Sequence, residues 1–169
     1  MTEISSARRT QERSPLLTKA GQCKKNTTAS VIANNPVYQA DQVFGQEKEK
    51  ELLPILSSYF NFKLKPKHRY FVFDYECDTA FIELKSRRGI RTEYPTTIVG
   101  KNKIDYADKC NKDVYFVFNF SDGLFYWKYD KEEIGKRVKI GLCGRVDRGK
   151  REIKEYCFVD VELLISIPL

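Results

Sequence analysis

The sequence is poor in histidine and in long apolar runs, and its cysteines form no metal-binding pattern. Because His68 is the only histidine, histidine-based metal sites and Ser-His-Asp catalysis are nearly excluded. The five cysteines are odd in number and widely spaced, without a CxxC, which argues against a disulfide framework and a structural zinc site. We therefore expect reduced thiols in an intracellular compartment. No apolar run approaches membrane-spanning length and no signal-peptide core is visible, so no membrane association is predicted.

Acidic residues are outnumbered by basic ones. The chain has 30 Lys and Arg against 23 Asp and Glu, a net charge of +7. This balance favours a polyanionic partner, with nucleic acid first and an anionic surface second. At 169 residues, of which 41% are hydrophobic, the chain suits one domain with a sizeable core.

The first 40 residues differ from the rest. They are rich in Ser, Thr, Asn and Gln, show no apolar periodicity, and up to Lys25 carry six basic residues against Glu3 and Glu12. We expect residues 1–40 to be a basic extended tail that is disordered unless bound, and residues 41–169 to form the folded domain. The tail could also serve as an arm that binds nucleic acid or another protein.

The remaining pattern alternates between helix and strand. Helices are predicted over 41–60 and 101–109. Strands are predicted over 70–75, 79–86, 114–120 and 124–129, with further strands between 137 and 167 around a turn at 147–149. This order indicates a mixed α/β or α+β domain with a central mixed sheet flanked by helices and a C-terminal β extension.

Two acids and a lysine meet on the predicted hairpin. Glu83 and Lys85 are two residues apart, so in a strand they share a face, while Asp74 ends the preceding strand and a tight turn would bring it near. Carboxylates can hold Mg²⁺, and a neighbouring lysine can position the attacking water for phosphodiester hydrolysis. Asp78 is a second choice as the first acid. The alternative is an exposed strand with a cross-strand ion pair of little energetic value.

The chain contains a second Glu-x-Lys, Glu152-Ile-Lys154, which serves as a control. It lies in the polar run 148–155 with no apolar strand before it, whereas the first copy lies within the apolar segment 81–85. The context therefore distinguishes the two, not the tripeptide.

Basic residues cluster just after the first copy, at positions Arg87, Arg88, Arg91, Lys101 and Lys103. They could hold a phosphate backbone beside a metal ion. A solvated charged face is the alternative for each of them.

The segments Phe-Val-Phe-Asp74 and Ile-Glu83-Leu-Lys85 resemble the motifs of the PD-(D/E)XK nuclease superfamily, which has the restriction-endonuclease-like fold. The proline that usually precedes the aspartate is absent. The resemblance covers about residues 41–130 and is closest to small nuclease-like proteins of phages and large DNA viruses. A viral member would act in the host cytoplasm or nucleus, or in the virion.

The resemblance implies further site residues. A glutamate of the first helix is often an added ligand in this family, and Glu49 is the best candidate, with Glu47 behind it. The carbonyl of Leu84 would complete a Mg²⁺ or Mn²⁺ site with Asp74 and Glu83. The second helix often supplies a polar or basic residue, a role that Lys101, Asn102 and Lys103 could fill.

Three functions follow as hypotheses. The first is a metal-dependent DNA nuclease in which Asp74 and Glu83 bind the metal ion and Lys85 positions the water. Such a nuclease could act as a homodimer. The second is a nuclease-fold assembly protein, such as a minor component of a virus particle, that uses residues 1–40 for protein contacts. The third is a nucleic-acid-binding module without catalysis, whose binding would depend on salt but not on metal.

Overall fold

The computed structural model of the protein describes residues 35–145 and 152–169. The expected basic tail, apart from its last six residues, and the turn predicted at 147–149 therefore lie outside the described residues. The elements, in chain order, are α1 (Pro36–Phe60), β1 (Lys65–Pro66), β2 (Tyr75–Glu76), β3 (Ala80–Ser86), β4 (Thr96–Gly100), α2 (Lys101–Ala107), β5 (Asp113–Phe120), β6 (Gly123–Lys128), β7 (Val138–Arg145), β8 (Glu152–Asp160) and β9 (Ile165–Ile167).

Helix α1 begins five residues before the predicted start at Asp41. The side chain of Asn35 accepts hydrogen bonds from the backbone N–H groups of Val37 and Tyr38, and Pro36 occupies the first turn. Asn is a favoured N-cap and Pro a favoured first helical residue, so this pair defines the start. The apolar stripe alone could not show this, because the first turns of α1 have no buried residue. The helix ends at Asn61, which caps it in the left-handed conformation at φ 52°.

The predicted strand over 70–75 is wrong in most of its length. Only Tyr75–Glu76 pairs as a strand, and the chain turns before it, with the N–H of Phe71 donating to the carbonyl of His68. The aromatic residues that suggested a strand instead lie in an irregular loop, where each packs separately against the core. Phe71 and Phe73 both lie against the Phe81 ring, at centroid distances of 5.6 and 5.2 Å.

The predicted hairpin is nevertheless present. Tyr75 pairs with Ile82 and Glu76 with Phe81, and the chain reverses between them. The residues of this hairpin enter a six-stranded mixed sheet in the order β1-β2-β3-β5-β6-β9, in which β3 and β5 run parallel. A second, antiparallel sheet has the order β4-β8-β7. The connection from β3 to β5 includes both β4 and α2.

Strand β3 is covered on both faces. On one face, Ile82 and Leu84 pack with Leu52 and Leu56 of α1. The other face packs against the second sheet and α2, in a cluster of Phe81, Phe73, Phe116, Val99 and Ile104. The fold is therefore layered as helix, mixed sheet, and second sheet with α2. This arrangement confirms the expected α+β architecture with a C-terminal β extension.

Within the described residues, no helix is both long enough and apolar enough to cross a membrane.

Candidate active site

Glu83 is fully buried, with 0% of its surface exposed, in the middle of β3. It lies beside Phe116 of the parallel strand β5 and shares its face with Phe81. A buried carboxylate is costly unless cations or hydrogen-bond donors compensate it. A purely structural strand position of this kind would be filled better by an apolar side chain, so the acid indicates a functional site.

Asp74 is held against the same strand by two hydrogen bonds. The N–H of Leu84 donates to its Oδ2 at 2.7 Å, and its own N–H donates to the carbonyl of Ile82 at 3.1 Å. Burial raises the pKa of Asp74 to about 7, and the nearby carboxylate of Glu83 adds to the rise, although Lys85 and the Leu84 N–H oppose it. Both acids therefore lie at the same segment of β3, because Asp74 is bound to the N–H of the residue that follows Glu83.

Lys85 completes the predicted trio. Its ammonium forms an ion pair with Oε1 of Glu83, an oxygen that receives no hydrogen bond of regular geometry. Burial alone would lower the pKa of Lys85, but the carboxylates of Glu83 and Asp74 outweigh it and raise the pKa. Lys85 is therefore a cation at neutral pH.

Lys103, which the sequence offers both as a nucleic-acid contact and as the basic residue of the second helix, contacts Glu83. Its ammonium lies 2.6 Å from Oε2 of Glu83 and also donates to the carbonyl of Val72. Helix α2 reaches this point because it lies in the crossover between β3 and β5. The only sequence signal for this position was the expected basic residue on the second helix.

Glu49 of α1 lies at the edge of the site. The hydroxyl of Tyr75 donates to its backbone carbonyl at 2.6 Å, which fastens the helix to the hairpin. Burial raises the pKa of Glu49, and Glu83 adds to the rise, while Lys85 and Lys103 lower it. Glu47, the reserve candidate, is exposed, and Asp78 is exposed in the turn that precedes β3.

An open cleft of about 460 Å³ borders the site and contains both Glu49 and Asp74 in its wall. It runs between α1 and the loop 66–74. Besides the two acids, polar residues of both walls face it, namely Asp41, Gln42, Gln46, Lys67, His68 and Arg69. The cleft gives a ligand access to Asp74 from the helix side of the sheet.

The residues fit a divalent cation with few protein ligands. Among the described residues, no group of three or more Asp, Glu, His or Cys side chains is gathered closely enough to hold a metal ion. Mg²⁺ needs fewer, since it is often bound by one or two carboxylates together with waters and substrate phosphates. Leu84 can add an oxygen, because its N–H and carbonyl point to the same side of β3 and the N–H meets Asp74.

The other predicted phosphate contacts have partners within the protein. Arg87 donates to the carbonyl of Ile98, Arg88 pairs with Asp41, Arg91 donates to the carbonyl of Val161, and Lys101 pairs with Asp105. Asn102 is exposed on α2. Their role toward nucleic acid stays a prediction.

A mixed sheet with a buried Glu-x-Lys strand, an adjacent aspartate and flanking helices defines a protein of the PD-(D/E)XK nuclease class. A family model described as "Phage putative PDDEXK endonuclease" matches residues 36–169. The chain belongs to this family, which confirms the resemblance seen in its motifs, and the match begins at the first residue of α1. Comparisons with curated proteins and with solved structures returned no match.

Proposed function

We propose that the protein is a metal-dependent nuclease that hydrolyses phosphodiester bonds of DNA. The observation that carries this proposal is that Asp74 binds the Leu84 N–H next to Glu83, with Lys85 paired to Glu83 and an open cleft that reaches Asp74. Membership of an endonuclease family supports it. The net charge of +7 favours a polyanionic substrate.

Asp74, Glu83 and the Leu84 carbonyl would hold Mg²⁺ or Mn²⁺. When bound, the ion would neutralise charge on the phosphate and lower the pKa of a coordinated water. Glu49, from the other wall of the cleft, would be a supporting ligand. The residues of the chain thus supply a hard, oxygen-only set suited to these ions.

Lys85 would position the attacking water and stabilise negative charge on the reacting phosphate. Because the pKa of Lys85 is raised, it stays protonated and acts as a hydrogen-bond donor and cation rather than as a general base. Asp74, whose pKa of about 7 lies near neutrality, is held in place by the Leu84 N–H. Binding of a cation favours its ionised form.

A cleavage assay tests the proposal. The wild-type protein should cut DNA with Mg²⁺ or Mn²⁺, and Asp74→Ala, Glu83→Ala and Lys85→Ala should each abolish cutting. Asp113→Ala is a matched control, because Asp113 is an exposed acid of the neighbouring strand that pairs with Lys128. The proposal fails if the wild-type protein cuts neither DNA nor RNA with either ion. Salt-sensitive DNA binding without cleavage would instead favour a binding module.

A second candidate function is that of an assembly protein, because the basic segment 1–40 could serve as an arm for protein contacts. A deletion of residues 1–34 spares the Asn35 cap and the whole of α1, so the domain should stay folded. A nuclease should keep most of its cleavage after this deletion, whereas an assembly component should lose incorporation into its particle.

A further inference from the structure

Glu83 is contacted by two ammonium groups, one on each oxygen. Lys85 of the same strand pairs with Oε1, and Lys103 of α2 donates to Oε2 at 2.6 Å. The proposed nuclease chemistry uses Asp74, Glu83 and Lys85 but gives Lys103 no task. The contact of Lys103 with the buried Glu83 therefore needs a separate explanation.

Lys103 is built into this position. Its ammonium donates to two oxygens, that of Glu83 and the carbonyl of Val72, and its side chain is only 17% exposed. Lys101, two residues earlier on the same helix, instead forms an ordinary i,i+4 pair with the half-exposed Asp105. An ammonium between oxygens at the surface of a buried carboxylate has the charge and the surroundings that a bound cation would have.

The two lysines act on different sides of Glu83. Lys85 contacts Oε1 from the same strand, whereas Lys103 contacts Oε2 from α2. Oε2 is therefore held by α2, whereas Oε1 is held from within β3, the strand whose Leu84 N–H binds Asp74.

We propose that Lys103 is a resident cation that occupies Oε2 of Glu83 in place of a second metal ion, so that Asp74 and Glu83 would take a single divalent ion. This inference rests on the proposed function, because it assumes that Asp74 and Glu83 are metal ligands. Lys103 is a positioning residue in this account. It keeps Glu83 compensated when no metal is bound and fixes which oxygen is offered to the ion.

Calorimetric titration of the metal-free full chain with Mn²⁺, in the absence of DNA, tests the proposal. The wild-type protein should bind one ion at this site, and Asp74→Asn should remove that binding. Lys103→Met should bind the first ion about tenfold tighter, since one positive charge at short range is gone. It should also accept a second ion. Lys128→Met, which removes the same charge from an exposed ion pair with Asp113, should leave Mn²⁺ binding unchanged.

Two equivalents of Mn²⁺ bound at this site in the wild-type protein would overturn the proposal, and so would unchanged binding in Lys103→Met. These measurements need no cleavage, so an inactive protein that binds one ion would contradict the proposed function but not this inference.

Unfolding by urea keeps the test decisive if Lys103→Met folds poorly. If Lys103 serves only to compensate the charge of Glu83, it should contribute to the free energy of unfolding when residue 83 is glutamate. It should contribute nothing when residue 83 is the neutral glutamine. Glu83→Gln and the double variant Glu83→Gln/Lys103→Met should therefore be equally stable. A large further loss of stability in the double variant would show that Lys103 serves the Val72 carbonyl or the packing of α2 instead, and would contradict the proposal.

Discussion

The two Glu-x-Lys segments of this chain have the same charged residues at the same spacing and lie in different surroundings. Glu83-Leu-Lys85 is in β3, which is paired on both sides and covered on both faces. Glu152-Ile-Lys154 opens β8, and its Ile153 and Lys154 are exposed. The middle residue shows the contrast most simply, since Leu84 is 5% exposed and Ile153 is 44% exposed.

Burial and neighbouring residues, rather than the tripeptide itself, give Glu83 and Lys85 their chemistry. In β3 the glutamate is removed from water and must be balanced by Lys85 and Lys103, and Asp74 is fixed beside it by the backbone. A strand end exposed to solvent imposes no such balance. We therefore expect the two segments to respond very differently to the same substitutions.

The largest difference is expected for the acids. Glu83→Gln should reduce DNA cleavage by about a thousandfold or more, because it removes a metal ligand and charge at the reacting phosphate. Glu152→Gln should leave the rate within about twofold, because Glu152 belongs to β8 and not to the site on β3. Initial rates on one DNA substrate with Mg²⁺ measure both. A similar loss in both variants would break the comparison.

The lysines should follow in the same direction. Lys85→Met should lower the cleavage rate by roughly a hundredfold or more, because the ammonium is the donor proposed to hold the water and the phosphate charge. Lys154→Met should have little effect on the rate at saturating DNA. If Lys85→Met raised only the KM for DNA and left kcat intact, Lys85 would be a binding residue and its proposed role would be wrong.

The middle residues sharpen the comparison in terms of stability. Leu84→Ala should lower the free energy of unfolding by about 3 kcal/mol, because it leaves a cavity between α1 and the sheet. Ile153→Ala, at a half-exposed position, should cost less than about 1 kcal/mol. Urea denaturation of both variants gives the two values. Equal losses would show that the β8 segment is buried in solution.

The smallest expected effect concerns pH. The pKa of Asp74 is raised from an ordinary 3.8 to about 7, mainly by burial. Between these values the folded state binds more protons than the unfolded state, so this group lowers stability as the pH rises, with the full effect above 7. In chelator, Asp74→Asn should therefore gain stability over the wild-type protein between pH 5 and pH 8, on the order of 2 kcal/mol.

The control for the pH experiment is Glu152→Gln. Its difference in stability from the wild-type protein should stay constant over the same pH range. A constant difference for Asp74→Asn as well would mean that Asp74 ionises as freely as an exposed acid.

Much of this site could be predicted from the sequence because its signals are local. The alternation in β3 indicated the shared face of Glu83 and Lys85, and the hairpin brought Asp74 to them. The early start of α1 was signalled only by the Asn35-Pro36 cap, which carries no apolar periodicity. The strand predicted over 70–75 failed because aromatic residues also anchor an irregular loop, as Phe71 and Phe73 do on Phe81.

The contact of Lys103 could not be predicted in the same way. It depends on where the crossover places α2 relative to β3, a tertiary relation between residues 20 positions apart in the chain. The same holds for the complete burial of Glu83, which requires α1 and the second sheet to close over both faces. The local sequence pattern identifies the residues of the site, whereas tertiary packing determines which charges surround them.

Anomalous diffraction from crystals of the full chain grown with Mn²⁺ would show whether Asp74 and Glu83 of the β3 site bind a metal ion. The account predicts an anomalous peak bound by Asp74, Glu83 and the Leu84 carbonyl, and none at Glu152. A peak elsewhere on the protein with none at Asp74 and Glu83 would contradict the assignment of β3 as the metal-binding strand.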